Sequence, residues 1–180
     1  MTATIRFATP DDAVTIERFI RGLADYEREP GAVCATAAVL RTQMMAENPP
    51  FECLLAEHGG APIGFALFYR AYSTWLGHPL LFLEDLFVDE ACRAAGAGIA
   101  LIKRLAAIAA ERGWARMEWR VLDWNTPAQR FYRALGANPA DDWTVWRVEG
   151  EALARLARGA ERDDTEVSGA RGDAMRRKGE

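Results

Sequence analysis

The amino-acid sequence predicts a mixed α/β domain over residues 1–158, a central sheet with helices packed against it. Three observations carry this expectation. Strand-like and helix-like segments follow one another in mixed order along the chain. "LLFLEDLFV" (80–88) is a largely apolar run of strand length, suited to burial on both faces of a sheet. It leads straight into "CRAAGAGIALIKRLAAIA" (92–109), in which two glycines precede an apolar helix-forming stretch. With 180 residues, half of them hydrophobic, the chain can bury one substantial core and is short for two.

In chain order, "TIRFAT" reads as a strand, and "DDAVTIERFIRGLADYER" places Ile16, Phe19, Ile20 and Leu23 at helical spacing behind an aspartate N-cap. "TAAVLRTQMMAE" reads as a second helix. "FECLLAEHGGAPIGFALFYRAY" gives two strands around the turn His58-Gly59-Gly60. Beyond the buried strand, the helix after the glycines turns Ile99, Ile102, Leu105, Ala106 and Ala109 inward. "ARMEWRVL" then reads as a strand, "TPAQRFYRAL" as a helix closed by Gly136, and "WTVWRVEG" (143–150) as a last strand. From Gly159 onward the chain has many charges and no aromatic residue, so residues 159–180 are expected to be a disordered tail. Within the strand 80–88, simple alternation sends the neighbouring acids Glu84 and Asp85 to opposite faces.

Composition narrows the functional classes. A formal net charge of -4 offers no basic footprint for nucleic acid, and no apolar run approaches the roughly 20 residues that span a bilayer. The first residues lack a signal-peptide apolar region, so a cytoplasmic location is expected. Cys34, Cys53 and Cys92, odd in number and without a CxxC pair, suit reduced thiols rather than a disulfide framework. Two histidines, His58 and His78, leave little material for a metal or a Ser-His-Asp site, and no metal is expected.

The glycines pose the functional question. Gly96 and Gly98 lie between a buried strand and the first turn of a helix, where backbone N–H groups lack intrahelical partners and the macrodipole favours an anion. Arg93 adds bidentate reach toward a phosphate. A Rossmann fingerprint would want glycine or alanine where Leu101 stands, and no GxxxxGK[ST] exists. The glycines also suit a plain tight turn, so by themselves they leave both readings open.

"LEDLFVDEACRAAGAGIALIKRLAAIA" and, one strand later, "WNTPAQRFYRALGA" resemble the two signature segments of the GNAT N-acetyltransferase superfamily, over about residues 4–157. Together with "LADYE" and "YSTWLG", they are similar to the diamine (spermidine/spermine) and thialysine N-acetyltransferase subfamily. The resemblance implies acetyl-CoA as cosubstrate and a GNAT fold with two splayed parallel strands. Its cofactor contacts would be the backbone of Leu86, Phe87 and Val88, the loop Arg93, Ala94, Ala95, Gly96, Ala97, Gly98 and Ile99, and then Asn125, Pro127 and Tyr132.

For catalysis it implies Glu84 as a water-assisted base and Tyr132 as the general acid toward the departing thiolate. A role for a base is physically sensible: an alkylammonium of pKa about 10.4 is neutral in about one molecule in 2,500 at pH 7, a deficit of about 4.6 kcal/mol. Acceptor contacts would come from Tyr26, Glu27, Trp75, Glu84 and Asp141, for a small cationic amine of diamine, polyamine or thialysine-like type. "YSTWLG" departs from the polyamine enzymes by offering Ser73 and Thr74 where they carry an acid. The subfamily is dimeric, and a homodimer is the expectation here. The same residues leave room for a peptide or protein amine as acceptor, or for a CoA-binding module without turnover.

Overall fold

Local sequence decides where most elements begin. The structure, a computed structural model, describes residues 3–140 and 144–159. Strand β1 (Thr4–Phe7) leads into a short 3-10 turn, Pro10–Asp12. The Asp12 carboxylate accepts from the Thr9 N–H at 2.8 Å and from two nitrogens of Arg6 at 2.7 and 2.8 Å. Asp12 also caps helix α1 (Ala13–Tyr26), as its sequence predicts. Helix α2 (Ala37–Met44) is capped by Thr36, whose hydroxyl accepts from the Val39 N–H at 3.3 Å. Strands β2 (Glu52–His58) and β3 (Ala61–Ser73) form the expected hairpin about Gly59-Gly60. Strand β4 (His78–Val88), helix α3 (Ala97–Glu111), strand β5 (Met117–Trp119), helix α4 (Thr126–Ala134) and a helix α5 over residues 150–159 follow.

The five strands make one mixed sheet in the order β1-β2-β3-β4-β5, antiparallel except for the parallel pair β4 and β5. The mixed α/β expectation therefore holds. One face is covered by α1 and α2, where Ala13, Ile16, Phe19 and Leu40 pack on Cys53, Leu55, Phe65 and Leu67. Phe19 stacks on Phe65 with ring centroids 5.5 Å apart. Gly22 lets α1 approach the sheet, since a Cβ there would stand 3.0 Å from the Phe87 ring. Helix α3 covers the other face through Ala97, Leu101, Ile102, Leu105, Ile108 and Ala109. Ile99 and Ala106, expected inward, are exposed instead; the stripe starts two residues earlier, at buried Ala97, and carries those two positions outward.

Register corrects the alternation argument for the two acids. Leu67 pairs with Asp85 while Phe68 pairs with Leu83, so Glu84 is an extra residue in β4, a β-bulge. A bulge breaks the two-residue period, and Glu84 then shares a face with Asp85 rather than opposing it. Its neighbours confirm the side: Glu84 interacts with Tyr69 and Arg120, and both of those lie against Phe82.

The chain divides into two compact units, Met1–Thr126 and Pro127–Glu180, the first holding the whole sheet with α1 to α3. In the second, the strand expected at 143–150 is not formed over its described residues: 144–149 are irregular and 150–159 are helical. β-branched and aromatic residues make a strand only when a neighbouring backbone accepts their hydrogen bonds, and sequence pattern cannot supply that neighbour. The boundary expected after residue 158 falls at the end of the described residues, and the tail expected from 159 lies outside them apart from Gly159 itself. Among the described residues no helix is long and apolar enough to cross a membrane.

Candidate active site

Helix α3 opens the site. Gly96 sits at φ +74°, ψ 9°, a left-handed conformation that glycine adopts without strain, and it links the 3-10 turn Glu90–Ala95 to the helix. The Gly96 carbonyl accepts the first helical bond, from the Ala100 N–H at 3.0 Å, so the N–H groups of Ala97, Gly98 and Ile99 precede the ladder. The expected loop residues therefore gather at a real helix N-terminus. Gly98 is already inside the helix, and Ala97 is fully buried, so both would offer backbone rather than side chain.

Beside that terminus the sheet parts. The parallel ladder of β4 and β5 joins Leu81, Phe82 and Leu83 to Met117, Glu118 and Trp119, and ends there. Through Glu84–Val88, β4 runs on with no ladder to β5, so β5 takes none of the main-chain groups of Leu86, Phe87 and Val88. Arg93 bridges the strand end and α1: its Nε donates to the Val88 carbonyl at 3.2 Å, and its guanidinium lies over the Tyr26 ring at 4.8 Å. The Tyr26 hydroxyl in turn donates to Asn125 Oδ1 at 3.0 Å. Asn125 is 8% exposed, the only buried polar residue among the described residues. Tyr26, expected at the acceptor, also ties the loop's Arg93 to Asn125.

Acids collect on the α1 face of β4. Burial first, then the negative charges of Glu84 and Glu27, push the Asp85 carboxyl up to about 6. Glu27, just past the end of α1, is also raised by burial. The Tyr69 phenol is raised by burial and by Glu84. Sequence reading chose Glu84 and Glu27 and passed over Asp85, because alternation seemed to turn it away. Glu84 and Glu27 are thus each near enough to Asp85 for their charges to act on it.

The sign of the Asp85 shift gives a prediction. A carboxyl whose folded pKa stands above its ordinary 3.8 destabilises the fold while ionised, and that cost grows as pH rises from about 4 to about 6. Asp85→Asn is expected to stabilise the protein by roughly 2 kcal/mol at pH 7.5, with the advantage closing below pH 4. Thermal melts of both proteins at the two pH values measure it; identical melts at pH 7.5 would refute the buried-acid assignment.

Tyr132 lies on α4 in the second unit, with its ring 5.2 Å from that of Phe131, and burial pushes its phenol up to about 12. The helix ends as predicted at Gly136, φ +88°. Pro127 stands in its first turn. Trp75 caps the hairpin between β3 and β4 and is 86% exposed. Asp141 lies outside the described residues, and of Ala94 and Ala95 the structure describes only the backbone turn. Among the described residues no group of three or more His, Cys, Asp or Glu could hold a metal ion.

Known proteins share both sequence and fold with this chain. The family model Acetyltransferase (GNAT) matches residues 17–137. The chain is 38% identical over 164 residues to thialysine N-epsilon-acetyltransferase of Bos taurus, covering 85% of this chain and 96% of that one. It is 28% identical over 198 residues to L-ornithine N5-acetyltransferase of Arabidopsis thaliana, covering 85% and 87%. Among solved structures, an integron cassette protein from V. cholerae superposes with a TM-score of 0.73 at 24% identity, covering 87% of this chain and 98% of that one.

Proposed function

This chain belongs to the GNAT acetyltransferase family and is an N-acetyltransferase; from that premise we propose that it moves an acetyl group from acetyl-CoA to the primary amine of a small cationic acceptor. The observation that carries the reading is the end of the β4–β5 ladder at Leu83, directly upstream of the Gly96 turn and alongside the acids Glu27, Glu84 and Asp85. Acetyl-CoA would supply a thioester, with the acetyl carbon open to attack by an amine.

The chain's own residues divide the work. The α3 N-terminus and Arg93 hold the negative phosphates, and Asn125 braces the other side of Arg93 through Tyr26. Main-chain groups of Leu86–Val88 would hold the pantetheine arm and offer N–H groups to negative charge at the acetyl oxygen. Asp85 and Glu27 attract the acceptor's ammonium. Glu84, half-exposed and so open to water, removes the amine's proton through a water molecule. Tyr132 donates a proton to the departing thiolate. Cys34, Cys53 and Cys92 are all unpaired, in keeping with a cytoplasmic setting. Release of free thiol from acetyl-CoA, measured against diamines, basic amino acids and peptide amines, tests the proposal. Thiol release is expected with small amines and with none of the peptides; the reverse pattern would overturn it.

A homodimer completes the proposal. Val145, Trp146, Val148, Leu153 and Leu156 of the second unit are exposed, Trp146 at 91%, and a chain left alone would keep that apolar surface in water. Light scattering at micromolar concentration is expected to give twice the chain mass, and Trp146→Ser to lower it; a wild-type monomer would refute the dimer.

A further inference from the structure

Glu84 stands where the sheet stops fixing the chain. Among the described residues it has no ladder partner on either side: the bulge leaves it opposite no residue of β3, and the ladder to β5 ends one residue earlier, at Leu83 and Trp119. Carried one step further, the same parallel register would set Glu84 against Arg120, the first residue after β5. The backbones do not make that pair, but the side chains meet, with Arg120 Nη2 4.0 Å from Glu84 Oε2. Aromatic rings hold Arg120 in place. Its guanidinium lies 5.1 Å over the Phe82 ring, and Phe82 is stacked on its ladder partner Tyr69 with centroids 5.2 Å apart. The Tyr69 hydroxyl reaches both Glu84 and Arg120, and a phenol so placed donates to the carboxylate and accepts from the guanidinium.

We propose that Arg120 is a positioning residue: across the root of the parted strands it holds the Glu84 carboxylate in the orientation from which it takes the amine's proton through water. This rests on the reading of Glu84 as the base. In that step the acceptor's ammonium gives a proton to the water while the water gives one of its own to Glu84, so the carboxylate must stay within hydrogen-bond reach of a water that also touches the amine. Backbone pairing does not secure this, and charge works against it, because Asp85 feels the negative charges of both Glu84 and Glu27 and repulsion drives the Glu84 carboxylate outward. Arg120 supplies the opposing pull. With the Arg120 and Glu84 side chains 56% and 45% exposed, the pair adds little to the stability of the fold. Its effect is on orientation, where a shift of about 1 Å is enough to slow a reaction severely.

Thiol release from acetyl-CoA by the purified full chain tests this, with whichever of putrescine, cadaverine, ornithine and lysine the wild type turns over fastest. Arg120→Leu is expected to lower kcat about tenfold at pH 7, with KM for acetyl-CoA and the melting temperature near the wild type. The loss should shrink to within about twofold at pH 10, where a large share of the amine is already neutral and needs no base. Arg120→Lys keeps the charge and should recover part of the rate. Combined with Glu84→Gln, Arg120→Leu should cost nothing more, because no base is left to position. A loss that is equal at the two pH values, or that multiplies with the loss from Glu84→Gln, would show that Arg120 does not act through Glu84, and Glu84 would keep its role as base. If Glu84→Gln is itself as active as the wild type at pH 7, or if none of the four amines is acetylated, the underlying reading falls and the positioning role with it.

Discussion

Tyr132→Phe is expected to lower turnover by about 10² to 10⁴ while the affinity for acetyl-CoA changes little. The substitution keeps the ring and its contact with Phe131, 5.2 Å away between centroids, and removes only the hydroxyl. A tyrosine that merely packs would tolerate it, so the melting temperature should stay near the wild type. Burial that raises the phenol to about 12 has two consequences for an acid. Against a thiol of pKa about 8.5, full transfer before the bond breaks would be uphill by about 5 kcal/mol, so the proton must move as the C–S bond opens and the sulfur gains charge. The sign of the shift also sets the pH profile. A raised pKa keeps the acid form at higher pH, so Tyr132 should impose no descending limb on kcat below about pH 11. Stopped-assay kinetics from pH 6 to 10 on both proteins decide it. Retention of more than about a third of wild-type turnover by Tyr132→Phe would remove the acid role.

What could be read in the sequence was what neighbours in the chain decide. Asp12 and Thr36 stand at helix starts, and Thr36 makes its cap within three residues. Gly59-Gly60, Gly96 and Gly136 announce turns because the left-handed conformation is a property of one residue. Arg93 and Gly96 were grouped by motif and spacing, whereas the contact of Arg93 with Tyr26 came only from the fold. What stayed hidden depends on partners far along the chain. The bulge at Glu84 exists only in the register between β3 and β4, so Asp85 was sent to the wrong face and its acid pair was missed. The segment 144–149 has strand composition and no strand, because composition does not provide a pairing edge. Nothing in "ARMEWRVL" marks Arg120, which the parallel pairing of β5 with β4 sets beside Phe82 and Glu84.

Gly96→Val is expected to weaken acetyl-CoA binding by about 100-fold, the order of effect that losing two charge-assisted hydrogen bonds produces. The space itself would admit a side chain: a Cβ at Gly96 meets nothing closer than Ile99 Cγ2, at 3.8 Å. Two other effects make the change severe. At φ +74° a non-glycine residue carries strain of about 1–2 kcal/mol, and a β-branched one more, so the melting temperature should fall by several degrees. A side chain would also stand over the first N–H groups of α3, which lie ahead of the bond from Ala100 to the Gly96 carbonyl. Strain and obstruction are separated by Gly96→Asn, because asparagine accepts the left-handed conformation at small cost yet still fills the space. That variant should melt close to the wild type and bind acetyl-CoA at least about tenfold more weakly by calorimetry. If Gly96→Asn binds as tightly as the wild type, the N-terminus of α3 is a tight turn and not a phosphate cradle.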